Sequence, residues 1–97
     1  MKKLNTFFPQ LLHGASQDPE VVLIFLKEMW PHLAGAEMAR HCQPVQLEGK
    51  TLVVSVSRRA WMEELRRAEL QRRLLAAIND FWQKRLIERI RPEMRPN

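Results

Sequence analysis

Between residues 43 and 57 apolar side chains alternate with polar ones, and this change of period constrains the fold more than any other feature of the chain. Val45 and Leu47 alternate with Gln46 and Glu48; Leu52, Val54 and Val56 alternate with Val53, Ser55 and Ser57. Glu48-Gly49-Lys50 separates the two runs, and Gly49 supplies the positive φ that a tight turn asks for. The pattern predicts an antiparallel hairpin with one buried face, leaving Val53 and Ser55 on an open polar one. A hairpin is not stable alone, so a third strand is expected, over about residues 86–91 and ended by Pro92.

The remaining periodic segments read as helices. Asp18-Pro19-Glu20 is a helix start: an N-cap acceptor, a proline in the first turn and an acid at the positive end of the dipole. Val22, Leu26, Met29, Trp30 and Leu33 form its apolar stripe, with Pro31 expected to kink or restart the helix before the pattern fades near His41. Ser57 is expected to cap a further helix whose inner face is Trp61, Leu65 and Ala68. Leu70, Leu74, Ala77, Ile78 and Phe81 then cluster on nearly the opposite side at 100° per residue. One straight rod would have to bury both sides at once, so two helices are predicted, broken near Arg67-Ala68-Glu69.

A chain of 97 residues suits one domain. Residues 16–92 are assigned to it, with 93–97 as a short tail. Residues 1–15 are a leader in which Leu4, Phe7, Phe8, Leu11 and Leu12 sit at the spacing of a short helix. The single cysteine, Cys42, excludes an intrachain disulfide and any CxxC motif. The longest apolar run, Val21 to Leu26, is far short of the roughly 18 residues of a membrane span. Lys2 and Lys3 are followed by stretches broken at Asn5, Pro9 and His13, which is no signal peptide, so a cytoplasmic location is the expectation.

The charge is lopsided. Residues 1–50 hold five basic and five acidic side chains; the remaining eleven basic and six acidic ones follow, so the whole excess of +5 lies in the second half. It comes in pairs: Arg58 and Arg59, Arg66 and Arg67, Arg72 and Arg73, then Lys84 and Arg85. Guanidinium groups flanking a helix–helix turn suit the phosphates of a nucleic acid or an acidic protein surface. The same residues also suit a solvated face held by Glu63–Arg67 and Glu69–Arg73 pairs at i, i+4. Trp30 and Trp61 fall on buried stripes, whereas Trp82, beside Phe81 at a helix end, is expected to be partly exposed and is the candidate for stacking. His32, His41, Cys42 and Glu37 scatter around their helix and are read as a helix-end histidine and a small buried thiol, with no metal or other cofactor. No GxSxG, HExxH or phosphate loop occurs, so no enzyme is expected.

The fold class is therefore α+β, in the order helix, strand, strand, helix, helix, strand. This is similar to the type II KH arrangement, α-β-β-α-α-β, with a small mixed three-stranded sheet covered by helices on one face. KH domains clamp single strands with a GxxG loop between consecutive helices; here that position reads Arg66-Arg67-Ala68-Glu69, so arginine side chains would have to hold the phosphates. Trp30-Pro31-x-x-Ala34-Gly35, Met38-Ala39-x-His41, Pro44, Leu47-x-Gly49-x-x-Leu52-x-Val54-x-Val56 and Ser57-x-x-x-Trp61-x-x-x-Leu65 resemble the signature of the DciA family, over about Val21 to Ile90. The resemblance implies a bacterial DNA-replication adaptor with a KH-like domain, no ATPase of its own, and two partners: single-stranded or forked DNA and the replicative helicase. The alternatives are a KH-like RNA-binding module and a purely protein–protein domain whose arginines dock on an acidic surface. No membrane or small-molecule substrate is implied.

Overall fold

In the computed structural model, which describes residues 18–95, the chain forms four helices and a three-stranded sheet. Helix α1 (Pro19–Ala34) and the short α2 (Ala36–His41) lead into β1 (Cys42–Glu48) and β2 (Thr51–Val56). Helices α3 (Arg59–Leu65) and α4 (Ala68–Trp82) follow, and β3 (Arg89–Met94) closes the sheet. The fold is α+β with a mixed sheet in the order β1-β2-β3, β1 antiparallel and β3 parallel to β2, consistent with a KH-like fold. The expected leader over residues 1–15 lies outside the described residues.

Helix α1 starts as its sequence dictates: Asp18 is extended and its side chain accepts the Glu20 N–H at 3.0 Å. The break expected at Pro31 falls instead at Gly35. Proline removes one backbone donor, and Pro31 and Lys27, one turn earlier, are both exposed, so the helix runs on to Ala34. Gly35 takes φ 92°, ψ 151°, a conformation side chains resist, and that starts α2 in a new direction.

The hairpin forms as expected around Gly49 at φ 62°, with one irregularity: the register shifts between Pro44 and Gln46, leaving Val45 in a bulge and 44 % exposed. Leu52, Val54 and Val56 point to the helices and join Val22, Leu26, Trp30, Leu65, Leu74 and Ile78 in the core. Val53, on the opposite face, corrects the sequence reading, since it is buried. It lies on the central strand between Gln46 and Arg91, flanked on both sides by longer side chains.

Strand β3 lies three residues later than expected and crosses Pro92. Arg89 N–H donates to the Lys50 carbonyl at 3.1 Å and Arg95 N–H to that of Val56 at 2.8 Å, so odd-numbered residues turn their donors to β2. Pro92 is an even position; its missing N–H falls on the open edge, where nothing is lost. Residues 83–88 are taken instead by the cap of α4, Gln83 in the left-handed region at φ 58°, and by a connection.

Candidate nucleic-acid interface

Arg66 and Arg67 sit where α3 and α4 meet, Arg58 and Arg59 at the start of α3, and Arg72 and Arg73 in the second turn of α4. Helix α3 ends at Leu65 and α4 begins at Ala68, so the two-residue connection is Arg66-Arg67, as the phase change in the sequence predicted. Met62 and Leu65 are buried and Trp61 is half-buried, while Ala68, assigned to the inner face, is exposed at the start of α4. Ser57 does not cap α3. Arg58 occupies the N-cap without a side-chain bond, and Ser57 instead donates its N–H to the His41 carbonyl at 2.9 Å, extending the sheet.

Gln71 fixes the junction. Its side-chain amide donates to the Leu65 carbonyl at 2.6 Å and to the Ile90 carbonyl at 3.3 Å, satisfying an orphan carbonyl at the end of α3 and one on the open edge of β3. Arg67 N-caps α4 with extended backbone and no side-chain bond, so the first-turn donors of this fifteen-residue helix carry no side-chain cap. Where a KH domain offers glycine backbone to phosphate, this chain offers those donors and the guanidinium groups beside them.

Arg58, Arg59, Arg66, Arg67, Arg72 and Arg73 are all exposed. Neither Glu63–Arg67 nor Glu69–Arg73 is paired; the one ion pair of the set is Arg67 with Glu64 at 3.7 Å. Among the described residues the other five have no carboxylate partner. A solvated face held by salt bridges is therefore not what these arginines build. Arg73 lies on the side of α4 turned to α1 and α2, at a shallow groove with Leu33, Met38 and Ala77; Arg72, just before it, is exposed and does not line that groove.

Lys84 and Arg85 do not join this group. They follow the far end of α4, whose fifteen residues span about 22 Å. There they line a separate cleft with Lys50, a residue the sequence reading passed over although it adjoins the hairpin glycine. Trp82 corrects a second expectation: it is 2 % exposed, edge-on to Phe81 at 4.9 Å, so its ring faces are closed to a stacking base. Leu74, Ile78 and Trp82 follow one another at i, i+4, i+8, the row that could have revealed this. Gln71 and Asn79, polar residues in the row with Leu75, were the other legible but unread signal.

Nothing in the site is arranged for bond-making chemistry. Burial pushes the Cys42 thiol up to about 11, the wrong direction for a nucleophile. Among the described residues no three His, Cys, Asp or Glu side chains are grouped to hold a metal, and no helix is long and apolar enough to cross a membrane. The fold is thus that of a KH-like domain, with exposed arginines along its α3–α4 pair. The family model described as Dna[CI] antecedent, DciA, matches residues 3–91, nearly the whole sequence. The chain belongs to the DciA family, which is non-enzymatic, has a helicase-loader-related role in DNA replication and implies interaction with the replicative helicase. No curated protein matches the chain.

Proposed function

We propose that this chain is an adaptor that binds single-stranded or forked DNA through the α3–α4 junction while assisting the loading of the replicative helicase. One observation carries the nucleic-acid half of this reading: Arg58, Arg59, Arg66, Arg72 and Arg73 are exposed along the α3–α4 pair without carboxylate partners among the described residues. Helix α3 spans about 10 Å, so Arg58 and Arg59 at one end and Arg66 and Arg67 at the other can meet successive phosphates of one strand. Backbone contact of this kind positions a strand without reading its sequence, and it releases counterions on binding.

The test is a titration of single-stranded, forked and duplex DNA, and of single-stranded RNA of the same length, at several salt concentrations. Affinity is expected to fall linearly with salt on logarithmic axes, and R66E/R67E is expected to lower it at least tenfold with a reduced slope. Unchanged binding in R66E/R67E would remove the assignment. Preference for RNA over both DNA forms would support the KH-like RNA-binding alternative instead.

A further inference from the structure

At the end of α4 opposite the arginine junction lies a cleft of about 330 Å³. Its floor is Pro19, Val22, Leu47 and Leu86; Lys50, Lys84 and Arg85 stand around it. We propose that this cleft is the docking site for an acidic protein segment carrying an apolar side chain, with carboxylates meeting the three cations and the apolar group resting on the floor. The inference rests on the adaptor reading above, in which the partner that brings this segment is the helicase.

Both walls are built in advance. Asn79 clamps the connection that carries Lys84, Arg85 and Leu86: its Oδ1 accepts the N–H groups of Leu86 at 2.8 Å and Ile87 at 2.9 Å, and its Nδ2 donates to the Ile87 carbonyl at 2.9 Å. Gln83, left-handed, turns the chain so that Lys84 N–H donates back to the Asn79 carbonyl at 3.1 Å. The hairpin wall is joined to the same connection, because the Lys50 carbonyl accepts from Glu88 N–H at 2.7 Å and Arg89 N–H at 3.1 Å. Little ordering is left for a ligand to impose.

Charge and chemistry together select the occupant. Lys50 meets Glu88 at 3.5 Å in an exposed pair, while Lys84 and Arg85 have no carboxylate partner among the described residues. Asp18 and Glu20 are the chain neighbours of Pro19, which lines the cleft, so the positive field is local and not a continuous track for a phosphate backbone. Among the described residues no aromatic side chain lines the cleft to stack a base, and its apolar floor matches a leucine-like side chain.

The experiment measures the affinity of the full chain for its purified cognate replicative helicase and, separately, for a twenty-residue oligothymidylate. K84E/R85E and Asn79→Ala are expected to weaken helicase binding at least tenfold while changing oligothymidylate binding less than twofold. The charge-conserving K84R/R85K is expected to retain helicase binding, and circular dichroism checks that each variant is folded. R66E/R67E is expected to show the converse. Helicase binding that survives K84E/R85E overturns the cleft assignment while leaving the junction reading intact. Equal loss of oligothymidylate binding in K84E/R85E and R66E/R67E makes the cleft a nucleic-acid contact and overturns the proposal. Oligothymidylate binding absent from the unmodified chain removes the DNA reading, and the cleft then stands or falls on the helicase arm alone.

Discussion

Two tryptophans show how much a single donor decides. Trp30 is 1 % exposed and its Nε1–H donates to the Cys42 carbonyl at 2.7 Å; Trp82 is equally buried and its Nε1–H has no partner among the described residues. Replacing either with phenylalanine leaves a similar cavity, but only Trp30→Phe also strips a buried carbonyl of its donor. Trp30→Phe is therefore expected to cost about 1–3 kcal/mol more than Trp82→Phe in urea unfolding, the cost of an unmet buried polar group. Equal losses would mean that the Trp30 bond contributes nothing. Cys42, whose carbonyl accepts that bond, has a thiol at 0 % exposure and raised by burial from 9.0 to about 11. An acid weakened by folding loses its proton first from the unfolded chain, so stability present below pH 9 declines as pH rises toward 11. Comparison with Cys42→Ala isolates the effect: the difference in stability between the two proteins should shift across that window and be flat below it.

At the scale of elements, β3 makes the sharpest claim about register. Odd residues face β2 and even residues face the open edge, so Pro92→Ala is expected to change stability by less than about 0.5 kcal/mol, as at an ordinary exposed site. Glu93→Pro, one residue on, removes a ladder donor and is expected to cost at least about 2 kcal/mol. Thermal or urea unfolding of the two variants checks the pairing, and similar losses would place β3 in a different register. The hairpin was legible because alternation and a turn glycine agree, and the α3–α4 break because the apolar stripe changes side. The position of β3 was not, since Leu86, Ile87 and Ile90 look apolar in any conformation, and the side-chain clamp from Asn79, seven and eight residues back, holds 86 and 87 in the connection and out of the strand. Pro31 misled for a related reason. A proline costs a helix one bond wherever it stands, whereas Gly35 can adopt a backbone that ends the helix outright, and which of the two breaks the chain depends on what packs behind.

For the whole molecule, the arrangement separates what the sequence presented as one basic run. The length of α4 sets Arg66 and Arg67, which precede it, about 22 Å from Lys84 and Arg85, which follow it and share a cleft with Lys50. Periodicity alone could assign faces to the pairs but not ends, because the partner of Lys84 and Arg85 is a hairpin tip more than thirty residues earlier in the chain. The separation has an electrostatic consequence. At 0.15 M salt the screening length is about 8 Å, well below the distance between the two surfaces, so an anionic ligand at the junction exerts little field at the cleft. At 0.01 M it is about 30 Å and the two occupants repel. Helicase affinity measured with and without saturating short oligothymidylate is therefore expected to agree within about twofold at 0.15 M salt and to fall in the presence of oligonucleotide at 0.01 M. Because coupling is reciprocal, oligonucleotide affinity should fall by the same factor when helicase is saturating. Competition that persists undiminished at 0.15 M salt would place both ligands on one surface, and the division of labour between the two ends of α4 would be lost.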